Sequence, residues 1–296
     1  MLKHLSELED ESVSIIRDTY RQANNPIILF SIGKDSTVLT HLFKKAFFPL
    51  KVPVKLLHID TTWKFKEMIE FRDKYAKENN FELIVHTNEK AISENITPFN
   101  NKNYTDIMKT ETLLEALKNG SYDFVYGGAR RDEEPSRSKE RVLSKRSQNQ
   151  SWNPRSQNVE PWYLFNTEID QKESFRVFPL SNWTELDIWQ YIKTENIDVV
   201  PLYFAKKRDV VTRDNKMLLV DDERFVFKKE DIKQTKNVRF RTLGCYPLTE
   251  CVESSANTLS KIINELKHST ESERSGRTID YDKENSMELK KREGYF

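Results

Sequence analysis

Four apolar residues, Ile27-Ile28-Leu29-Phe30, follow Pro26 and run directly into Ser31-Ile32-Gly33-Lys34-Asp35-Ser36. Beyond that turn, Val38, Leu39, Leu42, Phe43 and Ala46 recur at helical spacing. A short buried strand, a tight turn and an amphipathic helix in this order leave few folds open. They also aim backbone N–H groups and the positive end of a helix dipole at one point. Gly33 is expected to supply the backbone freedom of the turn. Lys34 adds a full charge, and Ser31 and Ser36 add hydroxyl donors. Such a point suits a phosphate, although a plain strand–turn–helix corner needs no ligand. The stretch is not a Walker A loop, because Ile28 stands where the first glycine belongs, and it is not Gly-x-Gly-x-x-Gly.

Further strands and helices alternate along the chain. Leu2–Gln22 reads as an amphipathic helix, Val54–Ile59 as a strand, the segment through Glu78 as a helix, and Glu82–His86 as a third strand. Ala91–Thr105 reads as loop, Asp106–Asn119 as a helix ended by Gly120, and Asp123–Tyr126 as a fourth strand. This alternation predicts an α/β fold with an open, mostly parallel sheet flanked by helices and right-handed crossovers. Ser174–Leu180 reads as another strand, and Thr184 with Asp187 opens a capped helix. A hairpin is expected around Arg213–Lys216, and a helix over Ser255–His268. Pro135–Trp162, polar and basic, reads as a long loop of the functional or mobile kind. The expected division is a catalytic domain over 1–250 and a C-terminal helix with a charged tail over 251–296.

Three stretches follow strand ends: Ser31–Ser36, Asp60–Trp63 and Gly127–Glu134. In open α/β sheets such ends converge on one crevice. Gly127-Gly128-Ala129-Arg130-Arg131 presents two arginines after a glycine pair, and guanidinium forks suit a tetrahedral oxyanion. A solvated charge run is the plainer reading. Asp60 is a candidate for a metal ion or a nucleotide hydroxyl, or else a helix N-cap. Asp35 is a candidate for magnesium, or a charge complementing the helix dipole. Arg239, Arg241, Arg274 and Arg277 are further anion candidates. The five histidines show no metal-ligand spacing, and His58 and His86 read as satisfied core groups. Cys245 reads as a buried structural thiol with no flanking base.

With 48 basic and 47 acidic side chains the net charge is +1, which gives no footprint for nucleic acid or an anionic membrane. Cys245 and Cys251 alone make neither a disulfide framework nor a four-cysteine metal site. No apolar run approaches the ~20 residues of a membrane span. The N-terminus lacks a signal-peptide core, and a cytoplasmic location is expected. The residues thus offer a phosphate loop, arginines for a second oxyanion and no Ser-His-Asp set. Those parts fit a reaction of positioning and charge stabilisation, with a nucleophile that is already ionised.

Ser31-Ile32-Gly33-Lys34-Asp35-Ser36 resembles the PP-loop of ATP pyrophosphatases, which usually reads Ser-Gly-Gly-x-Asp-Ser. With Leu57-His58-Ile59-Asp60-Thr61, Trp63-Lys64-Phe65, Gly127–Glu134, Arg176–Glu185, Phe240–Cys245 and Ser286–Phe296, nearly the whole chain resembles the small subunits of bacterial ATP sulfurylase. These belong to the phosphoadenosine-phosphosulfate reductase family, and Ile32 is their usual loop form. The resemblance implies that ATP and sulfate give adenosine 5′-phosphosulfate and pyrophosphate. Ser31, Ile32, Gly33, Lys34, Asp35, Ser36, Asp60, Gly127 and Gly128 would hold the nucleotide, with Lys34 acting on the reacting phosphates; from their charge and position, Arg130 and Arg131 are expected to take the sulfate. It implies magnesium with the ATP, no resident metal site, and a separate GTPase subunit, since this chain has no Walker A loop. A reductase of the same family is the nearest rival and would need a redox cysteine near the C-terminus. A tRNA-modifying adenylating enzyme and a non-catalytic regulatory subunit are more distant rivals.

Overall fold

The computed structural model describes residues 2–170 and 173–268. Helix α1 (Lys3–Tyr20) buries Leu5, Leu8, Ile15 and Ile16 on one side, as their spacing requires. Then follow β1 (Pro26–Leu29), α2 (Lys34–Phe47), β2 (Lys55–Ile59), α3 (Lys66–Glu78), β3 (Leu83–His86) and α4 (Glu89–Ser93). A wide turn over Asp106–Glu111 leads into α5 (Thr112–Gly120), and β4 (Phe124–Tyr126) follows. Next come α6 (Pro135–Ser138), β5 (Leu143–Arg146), β6 (Ser174–Val177) and α7 (Glu185–Glu195). The described chain closes with β7 (Lys206–Arg213), β8 (Lys216–Leu219), β9 (Gln234–Arg239), β10 (Val252–Glu253) and α8 (Leu259–His268).

The first sheet has the order β3-β2-β1-β4-β6-β5 and is parallel except for β5 at its edge. The predicted α/β architecture is therefore present, and β1 lies at its centre between β2 and β4. The chain moves outward in one direction through β2 and β3 and then returns to the other side of β1. Such a reversal opens a crevice at the carboxyl ends of β1 and β4. Strand residues alternate between two apolar layers. Ile28, Leu56, Phe124 and Tyr126 join the larger core, whereas Ile27, Leu57 and Val125 pack with Leu113 and Leu117 of α5. Among the described residues no helix is long and apolar enough to cross a membrane.

Several local expectations change. The Asp106–Asn119 helix is an α-helix only from Thr112, and Ser121, at φ 51°, takes the left-handed capping position assigned to Gly120. The long loop contains edge strand β5, whose burial is hidden in the sequence because Ser144 and Arg146 are polar. Glu140 holds both of them inside the protein. The capping box at Thr184 forms as expected: Thr184 N–H donates to Asp187 and Asp187 N–H donates to the Thr184 hydroxyl. The hairpin at Arg213–Lys216 also forms, with Asp214 and Asn215 both left-handed. It belongs to a larger structure, a four-stranded antiparallel sheet of order β10-β9-β7-β8. The 269–296 tail, with Arg274 and Arg277, lies outside the described residues.

The second sheet bears on the first at two points. Tyr203, just before β7, accepts the backbone N–H of Lys34 on its hydroxyl at 2.9 Å. Asp221 accepts the N–H of Lys66 at 2.8 Å, and Arg224 donates to the carbonyls of Thr62 and Lys64. Both points lie at the carboxyl ends of the central strands. Tyr203→Phe should lower unfolding free energy by about 1–2 kcal/mol, because the Lys34 N–H loses its partner. Urea denaturation of the variant beside the parent checks this.

Candidate functional site

The loop after β1 is held in an unusual backbone shape. Ile32 has φ 70°, in the left-handed region, whereas Gly33 is extended at φ −71°, ψ 162°. The special conformation therefore belongs to Ile32 and not, as expected, to Gly33. For a β-branched residue this costs of order 1–3 kcal/mol. Ile32 is fully buried in the larger core, and burying such a side chain contributes about 1.5–3 kcal/mol, enough to offset it. Gly33 instead caps α2, and its carbonyl accepts the N–H of Thr37 and the hydroxyls of Ser36 and Thr37. The Ser31 hydroxyl donates to that of Ser36 at 3.2 Å. The first N–H groups of α2 precede its internal ladder and point out of the helix start.

Asp35 joins this loop to the one after β4. Its Oδ1 accepts Arg130 Nε at 2.8 Å, and its Oδ2 lies 3.2 Å from Lys34 Nζ. Arg130 and Lys34 are each 1% exposed, so the ion pairs stand in a medium where they are poorly screened. Gly128 permits the approach: a Cβ there would lie 3.0 Å from both the Asp35 carbonyl carbon and the Ser36 nitrogen. Gly127 is buried, its N–H paired to the carbonyl of Val177.

A cavity of about 570 Å³ opens over these strand ends, a size suited to a nucleotide. Leu29, Leu57, Ile59 and Leu113 give it an apolar side, and Ser31, Asp35, Ser36 and Gly128 the phosphate-loop side. Lys64, Lys102, Lys109 and Arg137 add cations, Asp106 and Glu133 add carboxylates, and Thr242, Gly244, Cys245 and Thr249 close the back wall. The Tyr104 hydroxyl donates to the Thr61 carbonyl at 2.6 Å and pins the segment before α5 over the site. His58 also borders the cavity. Its Nδ1 lies 2.8 Å from the Phe30 carbonyl. Burial first, and Lys64 next, push its pKa down to about 3, so the ring is neutral.

Residues 25–251 match the family model of the phosphoadenosine phosphosulfate reductase domain. The chain is 57% identical over its whole length to the sulfate adenylyltransferase subunit 2 of Geobacter metallireducens, covering 99% of that protein. It is equally identical to that of Sulfurimonas denitrificans, covering 98%. The chain belongs to the sulfate adenylyltransferase subunit 2 family. Among solved structures, Candida glabrata FMN adenylyltransferase with FMN and the ATP analogue AMPCPP is 14% identical at a TM-score of 0.51. That match covers 83% of this chain and 65% of the other. The likeness is one of fold.

Not every residue singled out in the sequence of this family member meets the cavity. Ser31, Asp35, Ser36 and Gly128 do. Lys34, Arg130 and Gly127 lie behind the loop. Asp60 is no N-cap, since α3 begins at Lys66. Its carboxylate accepts Thr62 N–H at 2.8 Å and Arg72 at 3.1 Å. Arg131 turns away from the cavity to donate to Asn182, which in turn donates to Glu11. The expected pairing of Arg130 and Arg131 on one oxyanion therefore does not form: one guanidinium is buried on Asp35 and the other faces α1. Arg239 and Arg241, expected on anions, instead pair with Glu265 and Glu185. Lys102, Lys109, Tyr104 and Arg137 went unrecognised because they lie in segments read as loop or at a helix start. The one sequence signal for them was their place on the connections between strands whose ends form the crevice. Cys245 is a buried thiol as expected, and it also forms part of the cavity wall; Cys251 is buried too, its pKa raised to about 12 by burial.

Gly128→Ala should displace the start of α2, lowering stability by ~1–3 kcal/mol and weakening nucleotide affinity. Thermal denaturation and equilibrium binding report the two effects. His58 sets an acid limit. Its folded pKa lies below the ordinary 6.5, so the unfolded chain takes up the proton first, and stability falls as pH drops from about 6.5 towards 3. His58→Phe should flatten that limb of a stability–pH curve.

Proposed function

We propose that the chain is the adenylyl-transferring subunit of an ATP sulfurylase. An oxygen of sulfate attacks the α-phosphorus of ATP, the new S–O–P linkage forms, and the bond to the β-phosphate bridging oxygen breaks. The products are adenosine 5′-phosphosulfate and pyrophosphate. Sulfate is fully ionised at neutral pH, so no base has to remove a proton. The observation that carries the reading is the strand-end cavity, in which a helix start with Ser31 and Ser36 faces a cationic wall. It stands in a chain 57% identical over its length to proteins named for this activity.

In this reading the α2 start, Ser31 and Ser36 hold the departing pyrophosphate. Lys34 and Arg130, fixed on Asp35, add positive potential from behind the loop, where low dielectric strengthens it. Arg137 is the arginine that borders the cavity, held by Glu134 at 3.3 Å and close to Glu140. It takes the role on sulfate first expected of Arg130 and Arg131. Asp35 and Glu133 are carboxylates bordering the cavity that would hold a magnesium ion carried by the triphosphate, where it would neutralise phosphate charge. Among the described residues no three His, Cys, Asp or Glu side chains cluster to cage a metal on their own. The mixed anhydride is a high-energy product, so its formation calls for coupling to a partner GTPase. The exposed apolar side chains of Val159, Trp162 and Leu164 suit contact with such a partner, and the work would be done in the cytoplasm.

Pyrophosphate release from ATP by the chain with its GTPase should require sulfate and rise with GTP. Release without sulfate would assign another nucleophile, and no release at all would leave only a regulatory role. Arg137→Ala should raise KM for sulfate about tenfold or more, and Arg131→Ala should change it less.

A further inference from the structure

His58 differs from the other polar groups bordering the cavity. It is 1% exposed, and its Nδ1 faces the Phe30 carbonyl, a group that only accepts. The hydrogen of the neutral ring therefore sits on Nδ1, and Nε2 carries a bare lone pair. That Nε2 is buried and has no hydrogen-bond partner among the described residues. Burial and the nearby cations Lys64 and Arg72 oppose protonation and outweigh the Phe30 carbonyl and Asp60, which favour it. A buried acceptor without a donor is costly to leave in a fold. At neutral pH the triphosphate and sulfate bring acceptors and no hydrogen. The donors that ATP carries are on its nucleoside: the 6-amino group of adenine and the two ribose hydroxyls. His58 stands where a nucleoside would lie, beside Phe30, the last residue before the phosphate loop, and next to Leu57 and Ile59 of the apolar side.

We propose that His58 reads the nucleoside, its Nε2 accepting a hydrogen bond from the adenine 6-amino group or from a ribose hydroxyl. The inference rests on the cavity holding ATP, and it makes His58 a specificity-determining residue of that site. Its test is the affinity of the full chain for ATP, ITP, 2′-deoxy-ATP and 3′-deoxy-ATP, measured by equilibrium binding for the parent, His58→Phe and His58→Gln. The parent should bind ATP roughly 5- to 100-fold more tightly than the one analogue that lacks the donor. His58→Phe should bring ATP to the level of that analogue and leave the analogue's own affinity unchanged, while His58→Gln, which keeps an acceptor, restores part of the preference. Equality with ITP identifies the amine, and equality with a deoxynucleotide identifies a hydroxyl. Equal weakening of all four nucleotides, or unchanged ratios, would overturn the proposal. If His58→Phe does not fold, the ¹⁵N shift of His58 Nε2 in the parent decides: it should move with ATP and not with the deficient analogue. Binding needs no turnover, so ATP affinity without sulfate-dependent pyrophosphate release would overturn the sulfurylase reading and leave the His58 ratios to be judged on their own. A parent that binds none of the four would overturn both.

Discussion

The Asp35 carboxylate is the point on which the crevice depends. One oxygen meets Arg130 and the other Lys34, and neither cation is reached by solvent. A buried cation without its partner would cost several kcal/mol, so the loops after β1 and β4 cannot separate without that penalty. The tie crosses the line where the strand order reverses, which is where an open sheet would otherwise part. Gly128 is there because the tie draws two backbones into contact.

Everything else around the crevice steadies these two loops. Tyr203 reaches in from the second sheet to take the Lys34 N–H, while Arg224 and Asp221 grip the segment between β2 and α3. Trp63 lies under the Arg224 guanidinium and parallel to Tyr246, so the same segment is held by ring contacts as well. The antiparallel sheet thus acts as a brace across the carboxyl ends of β1 and β2. The cavity is lined by hydroxyls, helix-start N–H groups, lysines and Arg137, while Lys34 and Arg130 hold the scaffold through Asp35.

The parallel sheet was legible because its strands are apolar runs with helical periodicity between them, as at Ile27–Phe30 and Val54–Ile59. The phosphate loop was legible from residue types alone. Edge strand β5 was not, since a strand whose inward positions include Ser144 and Arg146 has no apolar signature, and its burial depends on Glu140 from outside it. The second sheet was missed beyond one hairpin because β7 and β9 are rich in lysine and arginine, which pair across strands or with α3, as Arg208 does with Glu67. Arginines were misplaced for a related reason. Sequence position puts Arg130 and Arg131 at the strand end, but rotamer and partner decide which way a guanidinium points. Those partners, Asp35 and Asn182, lie far away in the chain.

Ile32 has a consequence for what binding demands of the loop. A glycine at a left-handed position leaves the peptide many other shapes, and a ligand that fixes it must suppress them all. A branched side chain wedged in the core removes those shapes before any ligand arrives. The phosphate loop is therefore ordered in advance, and little conformational entropy remains to be lost when an anion settles on it.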